Sequence, residues 1–206
     1  MTEKLTIANL MSATIDAFDR VDILVNASRK MAVSNPLSAD TDAVEELWRQ
    51  NVLSALRMSQ CVARRMIQHA EKAGVEPGTM IGSIINLSSI TAQVTRPELL
   101  AYSMGAAAID QMTRSMALAL APKGIRVNAV AFGSVMSGSL QAALKDNPDF
   151  RDEIAAATPL QRIAAPAEIA ETVQFLASDA SGFMTGQVLA VDGGRSLLDA
   201  ATPPAH

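Results

Sequence analysis

The 206-residue chain predicts an α/β fold: one domain built on a parallel sheet, with helices on both faces. Three observations carry this. Short, nearly continuous apolar runs are separated by longer segments with helical spacing. Those runs do not alternate with polar residues as half-solvated strands would, so their strands are buried on both faces. Every connection between successive runs carries a helix, which makes neighbouring strands parallel and the crossovers right-handed.

The elements follow in order. Ile7, Leu10, Met11, Thr14, Ile15 and Phe18 form a stripe with spacing of three and four, a first helix. VDILVN, residues 21–26, is the first buried strand. The stretch around Pro36 is a loop. A long helix is expected from Asp40 or Thr41, with Asp42, Glu45 and Glu46 suiting its N-terminal dipole. Its stripe uses Val44, Leu47, Trp48, Leu56, Val62, Ala63 and Met66. MIGSIINLSS (80–89) is the second strand, and a second long helix covers 102–121 until PKG stops it. IRVNAVAF (125–132) is the third strand. A segment of loops and short helices follows. Pro166 then opens a helix at its first position, and GQVLAVDGG (186–194) is a last strand and glycine turn. No linker or repeat divides the chain, so residues 1–198 form the domain and 199–206 a terminal tail.

Composition narrows the function. Nearly half the residues, 49%, are hydrophobic, which excludes disorder. The net charge is −4 with no basic block, so nucleic acid is not an expected partner. Cys61 is the single cysteine and the only histidines are His69 and His206, which leaves no disulfide framework and no pattern for a metal site. No apolar run reaches the ~18 residues of a membrane helix, and the first residues lack a signal-peptide core. A soluble, cytoplasmic protein is the expectation, with no membrane partner.

Several short stretches stand in a telling order. DILVNAS ends the first strand, and Asn51 lies in WRQNVLSA. Ser89 closes INLSS, and Tyr102 follows it by thirteen residues. IRVNAVAFGSVMS and a long C-terminal stretch ending in VDGG complete the set. Together these resemble the short-chain dehydrogenase/reductase family of Rossmann-type oxidoreductases across nearly the whole chain. The resemblance implies a doubly wound, three-layer α/β/α sandwich and an NAD- or NADP-linked interconversion of a small secondary alcohol and a ketone. It implies catalytic roles for Ser89, Tyr102 and Asn51. It places the cofactor against Asn26, Ala27, Ser28, Tyr102, Phe132, Gly133, Val135 and Ser137. It also implies a homo-oligomer, dimer or tetramer, through the two long helices and the last strand.

The sequence departs from the family pattern at three places. The opening strands and glycine-rich phosphate turn have no counterpart before Val21, so strands 1–3 of the family sheet are expected to be missing. The lysine four residues after the tyrosine is Ala106, and the proline before Gly133 is Phe132, which should loosen that turn.

The chemistry explains why the lysine matters. Reduction of a ketone needs a proton for the developing alkoxide, and a phenol can give it. An unassisted phenol titrates near ~10, and a nearby positive charge favours its ionised form. By resemblance the lysine supplies that charge and holds the cofactor ribose, while Asn51 holds a backbone carbonyl and a water in the proton relay. Ala106 does neither of the lysine's tasks, so impaired or absent activity is expected. Arg29 and Lys30 are read as a solvated pair on a loop, with substitution for the lost charge as the alternative. Two rival functions stand beside the enzyme: a non-catalytic partner subunit, and a binder of a small apolar ligand. Without the first family strand, VDILVN should lie at a sheet edge that is covered by another copy or irregular.

Overall fold

The computed structural model describes residues 4–38, 40 and 42–198. The tail at 199–206 and the expected helix start at Thr41 lie outside the described residues. Four strands form one parallel sheet in chain order: β1 (Ile23–Asn26), β2 (Gly82–Ser89), β3 (Ile125–Phe132) and β4 (Val188–Val191). The register sets Asn26 beside Asn86, Ser89 beside Phe132, and Phe132 beside Val191. The strand ends that matter for chemistry therefore lie at one end of the sheet.

Helices cover both faces. On one face α1 (Lys4–Phe18), α3 (Ser54–Lys72) and α4 (Leu100–Leu120) enclose a core of Met11, Met58, Val62, Ile84, Ile125 and Val127. On the other, α7 (Pro166–Ala177) packs Ile169 and Leu176 on Ile85 and Val130. Ile84 and Ile85 are neighbours in β2 that point to opposite faces, and both are fully buried. This two-sided burial is why β2 reads as an unbroken apolar run. Cys61 is half-buried against the first of these cores.

The long helix before β2 differs from expectation. It begins as α2 (Val44–Leu47), where the Asp42 carboxylate accepts the Val44 N–H at 2.9 Å. It then opens into a π-helical segment over Trp48–Leu53 before continuing as α3. An inserted residue turns the following face by about 100°. Leu47 is fully buried while Trp48 is exposed, although the sequence stripe included both.

After β3 come α5 (Gly138–Asp146) and α6 (Phe150–Ala156), then α7. Gly124, which links α4 to β3, has φ +73°, and a Cβ there would stand 2.1 Å from the Thr79 carbonyl oxygen. Only glycine fits that corner. The β1 edge is regular and stays in register with β2 through all four residues, so of the two expected alternatives, cover by another copy or irregularity, the second fails. Ile23 and Val25 lie exposed along it. Its shortness limits the unpaired backbone it offers. Among the described residues no helix is long and apolar enough to cross a membrane.

Candidate functional site

The carboxyl ends of parallel strands open toward a crevice, where α/β sheets take their ligands. Ser89 ends β2 there, buried, and its Oγ accepts the Thr91 N–H at 3.2 Å, capping the turn Ile90–Ala92. That turn leads into α4, whose first turn carries Tyr102. The tyrosine ring is buried with Leu47 and Ala101. Asn51 lies in the π-helical segment and faces the loop after β1. Its Oδ1 accepts the Lys30 N–H at 2.8 Å, and its Nδ2 donates to the Lys30 carbonyl at 2.7 Å.

These two hydrogen bonds to the backbone of one residue orient its neighbours. Lys30 turns outward and pairs with Glu46. Arg29 turns inward, over the strand ends, and its guanidinium donates to the Tyr102 hydroxyl and to the Ser88 carbonyl. The guanidinium carbon lies 4.8 Å from the centre of the Tyr102 ring and 5.1 Å from that of Phe132. The expectation of a solvated Arg29–Lys30 pair therefore holds for Lys30 and fails for Arg29. The reason is tertiary: the Asn51 clamp folds the loop back on the sheet.

Burial lowers the Arg29 pKa, opposed by the Tyr102 oxygen and the Asp110 carboxylate. Among the described residues no carboxylate forms an ion pair with Arg29. Ala106 is buried one turn beyond Tyr102, and its carbonyl accepts from Ser88 Oγ at 3.3 Å. Beside it lies a cavity of about 10 Å³, lined by Asn26, Arg29, Asn51, Asn86 and Gly105, with room for about one water. One turn further, Asp110 is buried with its Oδ1 unpartnered. Burial pushes its carboxyl up, and the Ser88 hydroxyl, Arg114 and Arg29 pull it partly back.

The other expected cofactor contacts divide. The Asn26 amide is engaged within the fold, donating to Ser59 Oγ at 2.9 Å and to Asn86 Oδ1 at 2.7 Å. Ala27 and Ser28 are exposed at the crevice rim. The turn after Phe132 is not loose. Gly133 N–H donates to Val191, Val135 bridges to Ala164, and Arg195 holds Ser134 Oγ at 2.7 Å. A Cβ on Gly133 would stand 3.1 Å from the Asp192 Cβ, so this glycine serves the close approach of β3 to the turn after β4. Ser137 caps α5 by accepting the Leu140 N–H at 3.3 Å. A second, wider cleft of about 380 Å³ opens at the opposite ends of the strands, among Arg20, Asp22, Met66, His69 and Arg126, and contains none of these residues.

Sequence reasoning did not single out Ser88 or Asp110. For Asp110 a signal existed: positions 102, 106 and 110 share one helix face.

The chain matches, over residues 1–196, the family described as enoyl-(acyl carrier protein) reductase. It is 32% identical to the short-chain dehydrogenase anuF of Penicillium roqueforti, covering 96% of this chain and 74% of that protein. It is 34% identical to the cis-4-hydroxycyclohexanecarboxylate dehydrogenase of Sinomonas cyclohexanicum, covering 96% and 75%. Among solved structures it is similar to a gluconate 5-dehydrogenase from Burkholderia cenocepacia in complex with NADP and tartrate. The TM-score is 0.84 at 29% identity, covering 96% of this chain and 73% of the other.

Proposed function

This chain belongs to the short-chain dehydrogenase/reductase family, and from that premise we propose that it is a working NAD(P)-linked oxidoreductase acting on a small secondary alcohol or its ketone. The observation that carries the proposal is the Tyr102 hydroxyl, held at the strand ends by a guanidinium and close in the fold to the end of β2. Two of the similar proteins carry the names of dehydrogenases of hydroxylated carboxylates. They support the reaction class for this chain.

By family resemblance the cofactor is NAD or NADP. The described residues fit its nicotinamide end. They offer a crevice at the carboxyl ends of parallel strands, the Phe132 ring on one wall, and a backbone turn at Gly133–Ser137 held firmly by β4 and its following turn. No glycine-rich turn precedes β1 among the described residues, so no residue here is assigned to the phosphates. When bound, the cofactor supplies or accepts the hydride.

The chain's own residues handle the proton and the position of the substrate. Tyr102 gives its proton to the substrate oxygen in reduction and receives it in oxidation. Ser89 steadies that oxygen with its hydroxyl. Asn51 fixes the Lys30 peptide and so the loop that carries Arg29. The expectation of impairment rested on Ala106 and on the missing glycine-rich turn. A positive charge on the Tyr102 oxygen answers the first of these grounds. An oligomer, dimer or tetramer, is part of this proposal, supported by exposed Met104 and Leu118 on α4.

The test is titration of the chain with NADH and with NADPH, followed by turnover of a panel of small ketones. Saturable binding of one cofactor and turnover that Tyr102→Phe lowers by about 10²–10⁴-fold is the expected result. Absence of binding to both would overturn the proposal.

A further inference from the structure

We propose that Arg29 is the charge partner of Tyr102, doing from the loop after β1 the electrostatic work for which position 106 has no side chain. The inference rests on the oxidoreductase reading for its biological meaning, but its geometry stands without it.

Three observations converge. The guanidinium donates directly to the Tyr102 oxygen, so the charge sits on the atom that would lose a proton. It is fixed there: its other arm holds the Ser88 carbonyl, and the rings of Tyr102 and Phe132 lie 4.8 and 5.1 Å from its carbon. It is also a half-buried cation with no carboxylate ion-paired to it among the described residues, and partial desolvation favours an anion forming beside it. The charged groups facing this site are Arg29 from the loop and Asp110 from α4, with Arg114 beyond it. Lys30 is turned away onto Glu46.

The step is a plain proton transfer. The Tyr102 O–H bond breaks, an O–H bond to the substrate oxygen forms, and the phenolate electron pair stays on Tyr102. Arg29 keeps all its protons and faces the new anion, which a guanidinium stabilises by charge and hydrogen bond together. Arginine suits this better than lysine would from the same loop, because its planar group also stacks on the two rings.

Tyr102 is the only tyrosine in the chain, so tyrosinate absorbance followed against pH reports this residue alone. The experiment uses the cofactor-free chain and its Arg29→Ala, Arg29→Gln and Arg29→Lys variants. Loss of the charge should move the tyrosinate midpoint up, with Lys restoring part of it. Gln keeps a hydrogen-bond donor without the charge and carries the test if Ala fails to fold. Adding Ala106→Lys to Arg29→Gln should bring the midpoint back down. A midpoint that is the same in wild type and Arg29→Gln would overturn the proposal and leave Arg29 a packing residue. A shifted midpoint in a chain that turns over no ketone would keep the Arg29–Tyr102 couple and end the oxidoreductase reading instead.

Discussion

Asp110 shows how one residue can oppose the fold that holds it. It stands on the α4 face that carries Tyr102 and Ala106, buried, with one carboxylate oxygen unpartnered. Burial raises its pKa, so the folded chain binds its proton more tightly than the unfolded chain does. The sign follows: stability from this group is greatest at low pH and falls as pH rises through the raised folded value. Asp110→Asn should therefore raise the melting temperature at pH 7. The gain should shrink toward zero in acid, below both values, where the wild-type carboxyl is neutral. Melting curves at pH 7 and pH 3 check this, and a loss at pH 7 would show that Arg29 needs this carboxylate more than burial penalises it.

At the scale of elements, two helices illustrate how termini and interruptions position parts. α7 starts at Pro166, and Glu168 reaches back to accept the Ala165 N–H at 2.8 Å while Arg162 grips its carboxylate with two bonds of 2.6 and 2.7 Å. The Arg162 bond, with the backbone bond, holds the Glu168 pKa down to about 2. A depressed carboxylate contributes stability above its unfolded value, and that contribution is lost as pH falls toward about 2. Glu168→Gln should melt lower than wild type at pH 7, and the difference should shrink as pH falls toward about 2, which thermal scans across that range would show. The π-helical segment works differently. It presents Asn51 to the loop after β1 instead of to a helix neighbour, and the Arg29 geometry follows from that contact. Asparagine inside a helix was a local hint of some special hydrogen bond. The change in helix type was not readable in the local pattern, and the contact that uses it is to a residue twenty-one positions away.

Across the whole molecule, exposed apolar side chains are spread over several elements, and α4 carries two of them. Met104 and Leu118 are 45% and 81% exposed, and their spacing puts them on one side of α4. A second copy meeting this side would bury both. Sedimentation equilibrium should show a dimer or tetramer, and Leu118→Glu should shift it toward monomer. A wild-type monomer at micromolar concentration would sink the oligomer proposal and leave the site unaffected, since every contact of Arg29, Asn51 and Tyr102 described above lies within one chain.

The sequence alone determined the layered architecture, the parallel order of four strands, and the places of Ser89, Tyr102 and Asn51 along the elements. Those are properties of period and local chemistry: a strand buried on two faces reads as an apolar run, and a helix face repeats every three to four residues. The tertiary structure alone decided which cation meets the tyrosine. Position 106 lies one turn from Tyr102 and is empty of charge, while Arg29 is seventy-three residues away in sequence and touches the hydroxyl. No local pattern encodes that contact. It depends on a loop direction set by Asn51 and on the Tyr102 and Phe132 rings that flank the guanidinium.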